Sequence, residues 1–186
     1  MARAKRKAAR KTGARAKSAV QQDAIALLKA DHRQVEEWFE QFESTRSDAR
    51  KQSLAQKVCQ ALKVHTQIEE EIFYPAFLEA TKDEDTHHEA EVEHAGAKKL
   101  IAEIESAGPQ DEYYDARMKV LSEMIKHHVK EEEQRGGMFA EARKAGMDLR
   151  ALGEQLVARK AELMSDGESG GRPQRRGAIG WAHTVA

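Results

Sequence analysis

"KVHTQIEEEIFYP", residues 63–75, decides how this chain is read. Its apolar residues keep the 3.6-residue period of an amphipathic helix, yet the inward face carries His65 and Glu69 where Leu or Ile would pack better. "KHHVKEEEQRGGMF", residues 126–139, repeats the anomaly with His128 and Glu132. Residues four apart stack on one helix face, so both helices turn a His–Glu pair the same way.

The helical period extends outward from these two stretches. A first helix, from about 22 to 43, carries Ile25, Leu28, His32, Val35, Phe39 and Phe42 on one stripe. The second, from about 47 to 80, carries Leu54, Val58, Ala61, His65, Glu69 and Ile72, and Pro75 is expected to bend its end. The third, from about 85 to 107, carries Ala90, His94, Ala97, Ile101 and Ile104 and stops at "SAGPQD". The fourth, from about 111 to 135, carries Met118, Leu121, Ile125, His128 and Glu132 and ends at Gly136-Gly137. A shorter fifth helix starts near Asp148 with Leu149, Leu152 and Leu156. Long helices with short connections pack antiparallel. The predicted fold is all-α: an up-down-up-down four-helix bundle with a short fifth C-terminal helix.

Composition agrees. The chain has 186 residues, 40% hydrophobic and 34% charged, with 5% aromatics and three prolines, the profile of a helical domain rather than a sheet. No apolar stretch suffices to span a membrane and no secretory signal is evident. A single cysteine, Cys59, makes no internal disulfide. A cytoplasmic protein is the expectation. Residues 1–18 hold eight basic residues and no acid, leaving the remainder with nine more acidic than basic residues. Segments 1–19 and 165–186 read as disordered tails around a bundle over 20–164.

Each long stripe is interrupted at one place, by His32, by His65 with Glu69, by His94, and by His128 with Glu132. Successive histidines are 33, 29 and 34 residues apart, so an up-and-down chain returns each to a similar height. Any one of them alone is a satisfied core residue. Six together are costly to desolvate unless a cation compensates them. No cysteine contributes, which argues against structural zinc and iron–sulfur clusters. Four imidazoles and two carboxylates exceed one tetrahedral zinc and are too nitrogen-rich for calcium or magnesium. They suit two transition ions, with iron or manganese the natural choice.

"DHRQVEEWF", "HTQIEEEIFYPAF", "VEHAGAKKLIAEI" and "HHVKEEEQRGGMF", with the ordered pattern H…HxxxE…H…HxxxE, resemble the hemerythrin-like, or HHE cation-binding, domain over roughly residues 23 to 160. The resemblance implies a non-heme centre of two iron ions, oxo- or hydroxo- and carboxylate-bridged, with manganese the second choice. It implies His32 and His65 on one side, His94 and His128 on the other, and Glu69 and Glu132 between the metals. Oxygen-carrying hemerythrins have a further His four residues after the third-helix ligand, where this chain has Lys98, and an Asp where it has Glu133. The missing imidazole leaves an open position or calls in a substitute ligand, for which Tyr74, Tyr113 and Tyr114 are candidates. It shifts the implied role from oxygen carriage toward sensing, peroxide or nitric oxide chemistry, or iron handling.

His127 is rotated off the site, His87 and His88 lie near the core end, and Cys59 reads as a boundary thiol. Glu70, Glu71, Glu131 and Glu133 are solvated, or one of them orients a ligand imidazole. The leading function is binding of, or reaction with, O2, NO or H2O2, including catalase-like disproportionation of peroxide, in stress or sensing. The alternatives are an iron-handling or DNA-associated stress protein whose residues 1–18 contact nucleic-acid phosphates, and a metal-free helical interaction module. Oligomeric state is left open.

Overall fold

The computed structural model describes residues 23–169. Helix α1 (Ala24–Ser44) starts where the Asp23 carboxylate accepts the Ala26 N–H at 2.7 Å. Helix α2 (Asp48–Ile68) starts the same way at Ser47, and passes through a π-helical turn at Glu69–Phe73 into α3 (Tyr74–Thr81). Lys82, in the left-handed region with φ 59°, ends that rod, and Asp83 caps α4 (Glu84–Ser106). Helices α5 (Tyr114–Glu133), α6 (Met138–Lys144) and α7 (Leu149–Ser169) complete the chain.

Helix α1 packs against α2 and α5, and α4 packs against the same two, which closes the up-down-up-down four-helix bundle. Helix α7 lies across α1, α2 and the π-turn. No helix among the described residues is long and apolar enough to cross a membrane.

Three features go beyond the sequence reading. The rod of α2 and α3 is not simply bent by Pro75: that residue sits in the first turn of α3, directly after a π-turn closed by the Tyr74 N–H to the Glu69 carbonyl. Helix α6 follows the Gly136-Gly137 stop, and the helix expected near Asp148 is α7, which at 21 residues matches α1 in length. The tail expected over 165–186 starts inside α7, which runs to Ser169; residues 170–186, like segment 1–19 with its nucleic-acid reading, lie outside the described residues.

The core has two apolar layers. One holds Val35, Phe39, Val58, Leu62, Ile101 and Leu121, and the other holds Ile25, Leu28, Phe73, Phe77, Phe139 and Leu156. On α1, α2 and α4, His32, His65 and His94 fall between residues of the two layers, and on α5 His128 and Glu132 follow the last buried residue of the first. Cys59 lies fully buried in the first layer, where burial pushes its thiol up to about 12.

Gly136 turns in the left-handed region at φ 81°, and Gly137 is required for a different reason. A Cβ there would stand 2.1 Å from the Glu131 carbonyl oxygen and 3.0 Å from that of Glu132. Gly137→Ala is therefore expected to cost about 1–3 kcal/mol in urea denaturation, because the end of α5 must move. Cys59 is expected to stay unmodified by thiol reagents in native protein at pH 8 and to react at once in urea. Its raised pKa leaves it a neutral thiol at that pH.

Candidate metal centre

All six predicted positions project into the layer between the apolar clusters, and none is more than 5% exposed. The Nε2 atoms of His32 and His65 approach to 3.0 Å, and those of His94 and His128 to 3.3 Å. Glu69 Oε2 lies 3.2 Å from His65 Nε2 and 3.4 Å from His94 Nε2, so it reaches both pairs. Glu132 does the same from the opposite side, with Oε2 3.3 Å from His32 Nε2 and Oε1 3.7 Å from His128 Nε2. Two sets result, each with ligand atoms within 4.8 Å of one another: His32, His65, Glu69 and Glu132, and Glu69, His94 and His128. Glu69 belongs to both.

Behind the imidazoles stands a second row of carboxylates. His32 Nδ1 donates to Glu133 at 2.8 Å, His94 Nδ1 to Glu70 at 3.0 Å and His128 Nδ1 to Glu93 at 2.7 Å. A carboxylate only accepts, so it fixes the proton on Nδ1 and leaves Nε2 a lone pair aimed inward. His65 differs. Its Nδ1 is 3.6 Å from Asp31, beyond hydrogen-bond length, while Asp31 is engaged by Lys160 of α7.

Each of these carboxylates sits next in sequence to a site residue of its own helix and serves the histidine of a neighbouring one. Asp31 of α1 faces His65 of α2, Glu70 faces His94 of α4, Glu93 of α4 faces His128 of α5, and Glu133 of α5 faces His32 of α1. Glu70 and Glu133 belong to the group expected to offer one such orienting carboxylate. Asp31 and Glu93 were missed. Their adjacency to His32 and His94 is the only signal in sequence, and it points at the wrong imidazole.

The interior of the cluster collects acceptors with almost nothing to donate to them. Both Glu69 oxygens and Glu132 Oε2 are buried without a hydrogen-bond partner. Burial, with the facing Glu132 carboxylate adding to it, pushes Glu69 well above the usual carboxylate range. Burial also raises Glu132, outweighing His128 and His65. Burial holds His32 and His94 far below the usual imidazole range, so both are neutral. On His128 burial is opposed by Glu132 and Glu93, which together move it upward. Imidazole nitrogens and unpartnered carboxyl oxygens around one point are the donor set a cation fits.

Tyr74 is the one donor that reaches this interior. The π-turn brings it, five residues after Glu69, back to the inward face. Its hydroxyl lies 3.1 Å from His94 Nε2 and donates to Glu132 Oε1 at 3.4 Å. Tyr113 is exposed and Tyr114 packs against Phe42, so neither enters the cluster. Lys98 stays outside and donates to Glu70 at 2.6 Å. Phe139 of α6 stacks on the His32 ring at 6.0 Å between centroids, and His87 meets the Tyr74 ring edge-on.

A bundle with a buried layer of four imidazoles and two carboxylates defines a helical cation-binding domain. The chain belongs to the hemerythrin family: the model for the hemerythrin HHE cation binding domain matches residues 23–136. A crystal structure of a hemerythrin HHE cation binding domain-containing protein from Mycobacterium kansasii resembles it with a TM-score of 0.69 at 22% identity, covering 84% of this chain and 96% of that one. At that identity the likeness speaks for the fold. No curated protein matches the chain.

Glu69→Gln supplies a test of the burial argument. The raised Glu69 carboxyl contributes stability only while protonated, and that contribution is lost as pH rises through its elevated pKa. Chelator-treated Glu69→Gln is expected to melt at or above chelator-treated wild type. The gap should widen from pH 5 to pH 8, by roughly 2–4 °C per kcal/mol of relieved desolvation.

Proposed function

We propose that His32, His65, Glu69, His94, His128 and Glu132 hold two iron ions, and that the chain binds or reacts with a small oxidant or gas, O2, NO or H2O2, at that centre. The observation that carries the reading is the fully buried Glu69, whose two oxygens have no hydrogen-bond partner and which is common to both ligand sets. A carboxylate in that position costs stability unless cations lie on both sides of it. Manganese suits the same donors and is the second choice.

Bound iron supplies redox chemistry and a coordination position for a small ligand. The chain supplies the rest. The row of carboxylates behind the imidazoles holds the rings in one orientation and one tautomer. His32, His65, His94 and His128, with Asp31 and Thr66, line a void of about 10 Å³ that Val35, Leu62, Ile125 and Val129 close over. Those apolar side chains shield the cluster from water, which favours binding over turnover. Tyr74, kept a neutral phenol by burial and by Glu69 and Glu132, holds a proton at Oη within reach of the cluster. That proton favours the reactive version, with H2O2, as the second reading.

Aerobically purified protein is expected to carry about two iron ions per chain and near-ultraviolet charge-transfer absorption. His65→Ala should lose most of that metal. Reversible spectral change with O2 or NO supports a binder, and sustained consumption of H2O2 supports an enzyme. Chain that neither contains iron nor takes it up anaerobically after reduction overturns the proposal.

A further inference from the structure

A centre this deeply buried needs a route by which cations reach it. Between α4 and α5 lies a cavity of about 50 Å³ whose inner wall includes His94 and His128 and whose rim includes Glu93 and His127. On the α4 side it is lined by Glu93, His94 and Ala97, and Gly96 adjoins it. A Cβ on Gly96 would come within 3.0 Å of the Met124 Cε that lines the opposite side.

The rim carries a second group of ligand atoms. His127 Nε2 lies 3.2 Å from Glu131 Oε1, one turn further along α5, and 3.5 Å from Glu93 Oε1 across on α4. These three residues offer atoms within 4.8 Å of one another. Among the described residues no lysine or arginine pairs with Glu93 or Glu131, although elsewhere on the surface such pairs abound. Glu93 works on two fronts: Oε1 faces His127, and Oε2 takes the Nδ1 proton of His128 at 2.7 Å. The other such group, His87, His88 and Glu91, lines neither of the two cavities that the core histidines line here.

We propose that Glu93, His127 and Glu131 form a surface cation site that captures a divalent transition ion and hands it through the α4–α5 cleft to His94 and His128. This rests on the buried centre holding metal. Two carboxylates and one imidazole suit Fe2+ or Mn2+, and three protein ligands leave positions for water. Such a site exchanges its ion readily, as delivery requires. Acidic residues at the mouth of a cleft also concentrate cations there and raise their rate of capture by about tenfold or more.

The test uses the full chain and the double variant His127→Ala/Glu131→Gln, which spares Glu93 because that residue holds His128. Titration with Mn2+, read by the electron paramagnetic resonance of the free ion, is expected to show one more bound ion per wild-type chain than per variant chain. Equal binding overturns the surface site. Anaerobic loading of chelator-stripped chain with substoichiometric Fe2+, followed by stopped-flow absorbance, is expected to be about tenfold slower in the variant with the same final iron content. Loading within about twofold of wild type overturns delivery through this cleft. If neither chain loads iron, the buried centre is what fails, and the Mn2+ difference still decides whether the surface site exists.

Discussion

The structure depends on a ring of imidazole–carboxylate contacts running once around the bundle. Each of α1, α4, α5 and the α2 rod with its π-turn puts a histidine into the core layer and, next in sequence to one of its inward residues, a carboxylate behind the histidine of the next helix. The contact is directional and short on three sides, so it ties the axial register of the helices together. A slip of one residue on any helix would bury its carboxylate and turn its imidazole away. Apolar stripes alone tolerate such slips, because one aliphatic side chain substitutes for another at modest cost. The ring sets the register, and the two apolar layers above and below keep water from the centre.

That arrangement explains why acidic residues sit so densely around the site without repelling it apart. Glu69 and Glu132 point inward and are raised by burial, whereas Glu93 is lowered: burial opposes the shift, but His128 and His127 outweigh it. The inner pair faces the interior of the cluster, and the outer row faces the rings. The same division accounts for the close spacing of Glu69 and Glu70 on one helix and of Glu132 and Glu133 on the other.

Much of this was legible in the sequence, because it is periodic. The helical stripes and the histidines that interrupt them repeat at spacings that any amphipathic helix obeys, and the bundle and the six inward positions follow. What was not legible is what crosses between helices or breaks the period. The π-turn looks in sequence like an ordinary proline bend, yet it is what brings Tyr74 to the cluster. The partner of Glu93 is a histidine 35 residues away rather than its neighbour His94. Helix α6 is too short for a period, and the stacking of Phe139 on His32 depends on where the turn at Gly136-Gly137 delivers it.

The ring is closed unequally, and the inequality comes from outside the family-matched segment. Helix α7 sends Arg159 to Glu71 and Lys160 to Asp31, two carboxylates that flank the second helix's contribution to the core. Lys160 draws Asp31 away from His65, whose Nδ1 is left buried and without a partner. Lys98 acts on the other side of the bundle in the opposite sense. Standing where oxygen-carrying relatives of this fold place an imidazole, it holds Glu70 while the carboxylate still accepts from His94 Nδ1 at 3.0 Å. His94 is therefore the tightly oriented histidine of the second helix's surroundings, and His65 the loosely oriented one. A ring nitrogen with no carboxylate behind it is a weaker and more mobile donor than one that has it. The two halves of the cluster are built from the same residue types but are not equivalent, because His94 is oriented from behind by a carboxylate and His65 is not.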